Sequence, residues 1–140
     1  MPIAGFQHIN TRSADVERTR DFYVHVLGLR VGDRPPLRST GYWLYLGDQP
    51  IVHLVQRVAT DRVVAGESGT FDHVAFSCTN LEATRQALQA AGIVFRETVA
   101  ARDGAVQIRV QDPDGIQLEL NFANGEQSMN SFLRIPMKAT

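Results

Sequence analysis

The sequence predicts an α+β fold made of two copies of a strand–helix–three-strand unit. Three observations carry that prediction. "FQH" at 6–8 recurs as "FDH" at 71–73, each opening a short apolar stretch. At the same offset of 65, Asp15-Val16-Glu17-Arg18-Thr19-Arg20 falls on Asn80-Leu81-Glu82-Ala83-Thr84-Arg85, with Glu, Thr and Arg repeated in place. With one residue deleted, Gly28-Leu29-Arg30-Val31 falls on Gly92-Ile93-Val94-Phe95, and "IVHLV" (51–55) lies opposite "QLELN" (117–121) at an offset of 66. Self-similarity at a fixed spacing marks a duplicated unit. It gives modules 5–57 and 70–122, an inter-unit linker at 58–70 and a tail at 123–140. A length of 140 residues fits both modules into one domain spanning 1–140.

Each module has the same grammar. "GFQHINT" and "FDHVAFSC" alternate or run apolar, as strands do. A helix follows each. In the first module Ser13 or Asp15 caps it, Val16, Tyr23 and Leu27 form the buried stripe, and Gly28 stops it. In the second, Thr79-Asn80-Leu81-Glu82 is a capping-box pattern, Leu81, Thr84, Leu88 and Ala91 share a face, and Gly92 ends the helix. Three strands then follow in each, at about 29–32, 42–46 and 50–56, and at about 93–98, 105–111 and 116–122. "DRPPLRSTG" (33–41) is a loop, and "QDPDGI" (111–116) a tight turn set by Pro113 and Gly115. The tail carries Phe132, Leu133, Ile135 and Met137, which can pack on the domain or on a second subunit.

Composition excludes several partner classes. Fourteen basic against 15 acidic residues leave a net charge of −1, without the basic excess that nucleic acid or an anionic membrane attracts. No apolar run approaches the ~20 residues that span a bilayer, and "MPIAGFQHIN" lacks the pattern of a secretory leader. One cysteine, Cys78, forms no internal disulfide and reads as a buried small residue rather than a nucleophile. A cytoplasmic protein acting on a small molecule is the expectation.

Strand alternation then sorts the side chains. Ile9, Val52, Leu54, Val74, Phe76, Leu118, Leu120 and Phe122 face the helices, while His8, Asn10, His53, His73 and Glu119 face away. Taken singly, a polar residue on the open face of a strand is a solvated residue. Together, three of the four histidines and a glutamate occupy corresponding strands of a duplicated unit. Sheets curling round a pseudo-two-fold axis would gather them into a ligand set suited to Fe(II), Mn(II), Zn(II) or Ni(II). His25, on the first helix, is structural or on the surface. Gln107 and Arg109 alternate with Val106, Ile108 and Val110 and so face away from the helices. The planar fork of Arg109 matches a substrate carboxylate, the alternative being a surface arginine. Tyr42, Trp43 and Tyr45 supply pocket lining in part and core in part; Tyr42, with Asn10, is taken as a candidate substrate contact.

The stretches "HINTRSADVERTRDFYVHVLGLRV", "DHVAFSCTNLEATRQALQAAGI" and "DPDGIQLELNF" resemble the vicinal oxygen chelate superfamily over roughly residues 5–122. This group holds glyoxalase I, extradiol dioxygenases, fosfomycin-resistance thiol transferases, methylmalonyl-CoA epimerase and bleomycin-binding proteins. The resemblance implies two βαβββ modules forming an incomplete barrel round a metal. It implies His8, His73 and Glu119 as metal ligands, and a homodimer in which a site can be shared between chains. His53 occupies the position where glyoxalase I usually has a glutamate and where extradiol dioxygenases place a catalytic histidine nearby. His53 is therefore expected as an acid/base group or a fourth ligand. Extradiol-type chemistry with a 2-His-1-carboxylate Fe(II) or Mn(II) is the first expectation. "VQIRVQ" cuts against it, with Arg109 about ten residues before the glutamate where those enzymes carry tyrosine. The alternative is glyoxalase- or epimerase-like proton transfer, or thiol transfer, using the same site with Zn(II) or Ni(II). A binding module without catalysis comes third.

Overall fold

The computed structural model describes residues 4–61, 71–101 and 103–125. The expected linker beyond 61 and the tail beyond 125 lie outside them. The described chain divides into two compact units. One contains residues 4–61 and the turn 112–115, and the other contains 71–111 and 116–125. That turn, assigned by sequence to the second module, thus groups with the first.

The first unit runs β1 (Ile9–Ser13), α1 (Val16–Asp21), β2 (Arg30–Gly32), β3 (Gly41–Leu46) and β4 (Gln49–Gln56). The second runs β5 (Val74–Cys78), α2 (Leu81–Ala90), β6 (Phe95–Val99), β7 (Val106–Gln111) and β8 (Gln117–Phe122). Each is a βαβββ module with an open four-stranded mixed sheet, ordered β1-β4-β3-β2 and β5-β8-β7-β6. The first strand of each pairs in parallel with the last, as Ile9↔Val52 and as Val74↔Leu118. These pairs differ by the offsets of 65 and 66 read from the sequence, so the duplication extends to strand register.

Asp15 caps α1, its carboxylate accepting from the Arg18 amide at 3.1 Å. The helix then widens into a π turn over Phe22–Val26, which buries Phe22 and Tyr23 side by side, and Gly28 at φ +77° closes it. Leu27, expected in the buried stripe, is only half-buried. Tyr23 is fully buried, and its hydroxyl donates to Asp112 Oδ2 at 3.0 Å. Thr19 donates to Asp114 Oδ2 at 2.6 Å and contacts the buried Ser13 hydroxyl at 2.9 Å. The acidic turn is therefore anchored by Thr19 of α1 and Tyr23 of the π turn, and burial pushes the Tyr23 phenol well above its ordinary pKa.

The second helix corrects an expectation. Asn80, not Thr79, precedes its first turn, and it takes a left-handed conformation (φ 58°, ψ 59°) with no side-chain cap. A capping box needs an extended residue at that place, and asparagine tolerates the left-handed region instead. Of its expected buried face only Leu88 is fully buried, Leu81 and Thr84 being half-buried and Ala91 exposed. Gly92 ends it as predicted, at φ +66° with its amide bonded to the Gln89 carbonyl.

Candidate functional site

Each module presents one pole of polar side chains on the sheet face away from its helix. In the first unit His8 lies just before β1 and His53 in the middle of β4, the longest strand. Their rings stack with centroids 3.8 Å apart and planes 16° apart. On the other side of His53 stands Trp43, its strand partner, with centroids 4.1 Å apart and planes 6° apart. His53 is thus an imidazole held in a stack of three rings and only 8% exposed. Burial lowers its pKa, and the neighbouring His8 and Arg34 lower it further against hydrogen bonding to the Pro50 backbone. A neutral ring with a usable lone pair is the result. Among the described residues its Nε2 is buried without a hydrogen-bond partner, a costly state for a polar atom unless something else occupies that lone pair.

The pole of the second unit is charged. His73 precedes β5 as His8 precedes β1, and Glu119 in β8 corresponds to His53 in β4, since Asn10↔His53 matches Ala75↔Glu119. His73 Nε2 lies 3.7 Å from Glu119 Oε2. Arg109, directly across the ladder, donates Nη2 to that same oxygen at 2.8 Å. Glu119 Oε1 accepts from Gln107 Nε2 and from Asn121 Nδ2, each at 3.1 Å. Gln107 also donates to Asn121 Oδ1 at 2.9 Å. The carboxylate, 9% exposed, is therefore held in one orientation by its neighbours.

A feature that sequence reasoning missed is common to both poles. Gln7 Oε1 lies 2.9 Å from His8 Nδ1, and Asp72 Oδ1 lies 2.6 Å from His73 Nδ1. The residue before each histidine thus takes up Nδ1, which leaves Nε2 as the lone-pair nitrogen. Such outer partners set the tautomer of metal-binding histidines. The hydrogen bond from His73 holds the Asp72 carboxyl below its ordinary range. The signal was the polar residue inside "FQH" and "FDH", which the repeat alone shows as variable.

The other predicted residues divide. Gln107 and Arg109 join the Glu119 pole. Asn10 is exposed beside His53 in the ladder. Tyr42 does not join the His8–His53 pole: it pairs with Leu54 on the helix side, bonds to Glu17 and accepts from Arg20 Nη1 at 2.9 Å. Trp43, one of three aromatic residues expected to divide between pocket lining and core, stacks on His53. Cys78 is half-buried, and burial pushes its thiol up to about 11, against a nucleophilic role. A separate cavity of about 730 Å³, lined by Cys78, Leu81, Val106 and Phe122, includes none of the predicted site residues.

The donors fit a divalent cation in kind: imidazole nitrogens with Nδ1 taken up, one fixed carboxylate, and a buried Nε2 without a partner among the described residues. Each unit by itself offers two donors, His8 with His53 and His73 with Glu119. Among the described residues no three His, Cys, Asp or Glu side chains form a metal-binding group. No helix among them is long and apolar enough to cross a membrane.

Residues 5–120 match the family described as the Glyoxalase/Bleomycin resistance protein/Dioxygenase superfamily. The chain is 31% identical over 121 residues to a lactoylglutathione lyase of Escherichia coli O157:H7, covering 81% of this chain and 88% of that protein. It is 31% identical over 131 residues to a lactoylglutathione lyase of Neisseria meningitidis serogroup A, covering 87% and 94%. A glyoxylase/bleomycin resistance protein/dioxygenase domain from Frankia sp. EAN1pec shares the fold at a TM-score of 0.70 and 20% identity, over 92% of this chain and 98% of that one.

Proposed function

The chain belongs to the Glyoxalase/Bleomycin resistance protein/Dioxygenase superfamily, whose chemistry is that of enzymes acting on small molecules, generally with a divalent metal, and on that footing we propose a metal-dependent lyase or isomerase. Its reaction is the transfer of a proton next to adjacent substrate oxygens. The carrying observation is His53: a buried, neutral imidazole whose Nε2 has no partner among the described residues, stacked between His8 and Trp43. By the family resemblance, His8, His73 and Glu119 are the residues that would hold the metal, and His53 would be the acid/base group. A divalent metal supplies Lewis-acid polarisation of neighbouring substrate oxygens, which makes the adjacent C–H more acidic.

The chain's own residues supply the rest. Gln107 and Asn121 fix the Glu119 carboxylate, so no ligand entropy is lost when it binds. Gln7 and Asp72 fix the two ligand histidines. His53 takes the proton on Nε2 and returns it, a role that suits an imidazole held neutral near pH 7. Trp43 and His8 pack on both faces of that ring, which keeps its orientation and excludes water from it.

This reading moves the extradiol dioxygenase expectation to second place. Two relatives above 30% identity carry the name lactoylglutathione lyase. Arg109, not tyrosine, stands across from Glu119. The position of His53 is what still favours the dioxygenase. Zn(II) or Ni(II) suits the proton transfer, whereas Fe(II) or Mn(II) suits oxygen chemistry. A homodimer is the expected assembly, measured by sedimentation.

The test reconstitutes the apoprotein with each metal and supplies the hemithioacetal of methylglyoxal and glutathione. Metal-dependent proton transfer without oxygen uptake is expected, seen as rearrangement of the hemithioacetal to the thioester or, with L-lactate as the substrate, as exchange of its C–H in deuterated water. Catechol-dependent oxygen consumption by the Fe(II)-loaded protein, with no proton transfer on either substrate by any metal form, would overturn the proposal in favour of the dioxygenase.

A further inference from the structure

Arg109 has more capacity than its structural role needs. Gln107 and Asn121 already orient the Glu119 carboxylate through Oε1. Arg109 adds a single bond, to Oε2, and among the described residues its side chain makes no other hydrogen bond. Its side chain is 48% exposed while that of Glu119 is 11% exposed, so half of the guanidinium arm remains open to a further partner. The other carboxylate whose field reaches it, Asp72, is already bonded to His73 Nδ1.

The choice of oxygen matters. Oε2 is the one that faces His73 Nε2, at 3.7 Å. A cation held by His73 and Glu119 would meet the guanidinium as a like charge. An anion that both accept would offset that repulsion. A guanidinium with a planar fork and free donors matches a carboxylate by shape as well as charge.

We infer that Arg109 is a specificity residue that binds the carboxylate of an anionic substrate, so that the substrate class is small acids with an oxygen on the carbon beside the carboxylate. The inference rests on the proposed metal-dependent function and deepens it. It also separates this chain from a protein selecting a neutral carbonyl compound, because a neutral group gains nothing from the guanidinium charge of Arg109.

The experiment uses the full chain loaded with Zn(II), which has no redox chemistry, and two probes, L-lactate and L-lactamide. Both place a hydroxyl beside a carbonyl oxygen, and they differ in charge. Calorimetry gives the dissociation constant of each probe and of zinc for the wild type, R109Q and R109K. The lactamide-to-lactate ratio of dissociation constants is expected to fall about tenfold or more in R109Q, as for loss of a charge-assisted pair. R109K should recover part of it, since the charge remains and the fork is lost. An effect of Arg109 exerted only through Glu119 shifts both probes alike and leaves the ratio unchanged. An unchanged ratio with zinc bound, or a zinc-loaded wild type without preference for lactate, would overturn this inference and leave the metal site standing. A wild type that binds no zinc, nickel, iron or manganese overturns the proposed function and this inference with it.

Discussion

The two hairpins β3–β4 and β7–β8 are copies of one another, yet they set different chemistry on the same face. In the first, Trp43 stands across from His53; in the second, Arg109 stands across from Glu119. The offset of 66 relates both pairs. One copy holds an imidazole between aromatic rings, and the other holds a carboxylate among a cation and two amides. Duplication thus supplied the backbone positions twice, and divergence set a stacked imidazole on one copy and an ion-paired carboxylate on the other. A symmetric pair of identical poles could bind a metal but would lack this division.

Removing the charged pole should have the largest effect. Glu119→Ala deletes the only carboxylate among the proposed ligands and leaves Arg109, Gln107 and Asn121 without their common acceptor. Loss of an outer partner of a metal ligand costs about 10- to 100-fold in affinity, and loss of the ligand itself should exceed that. Metal titration of the variant should show a fall of more than about a hundredfold, with activity falling in parallel. Retention of wild-type affinity would remove Glu119 from the site. His53→Gln attacks the other pole. As the acid/base group, its loss should lower turnover about 10²- to 10⁴-fold while metal affinity stays within about tenfold. A collapse of affinity with turnover would instead make His53 a fourth ligand, and the first module would then supply two ligands, as the second does.

A smaller effect separates the two helices. The first is anchored by a buried polar cluster through Tyr23, Thr19, Asp112 and Asp114, whereas Leu88 is the only fully buried side chain of the second. Tyr23→Phe keeps the ring and deletes the hydroxyl that donates to Asp112, which is 4% exposed. Chemical denaturation should show a loss of about 1–3 kcal/mol, the cost of a buried acceptor losing a donor. No loss at all would mean that the acidic turn contributes nothing to holding the first module.

These contrasts were unequally legible in the sequence. The module order, the helix stops at Gly28 and Gly92, and the faces of Leu118, Leu120 and Phe122 followed from periodicity, because alternation needs only local register. The β7–β8 ladder is regular, so Arg109 and Gln107 were correctly assigned to the face of Glu119. What the residues did not disclose was the partner of each Nδ1 and the helix cap at Asn80, since both depend on backbone conformation at single residues. The pairing of Trp43 with His53 was hidden for a different reason, a bulge.

The least effect expected is also the most discriminating for that bulge. The β3–β4 turn pairs Leu46 with Gln49 and Tyr45 with Pro50, a register that continued evenly would set Tyr42 opposite His53. The ladder instead slips by one residue between Leu44 and Tyr45, so that Leu44 pairs with Val52 and Trp43 with His53. A one-residue slip moves every later side chain to the other face. Gly41 follows on the same shifted strand, where a Cβ would come within 2.0 Å of the Leu54 carbonyl oxygen, so the close approach needs glycine. Tyr42 consequently turns to α1, and hydrogen bonding to Glu17 raises its pKa. Tyr42→Phe removes a hydroxyl from a helix-side contact and nothing from the His53 stack. Its kcat/KM should stay within about twofold of wild type, as for a surface change of about 0.5 kcal/mol, while Trp43→Ala should lower turnover by loosening His53. If Tyr42→Phe proved the more damaging of the two, the hairpin in solution would have the even register, and Tyr42 rather than Trp43 would be the ring facing His53.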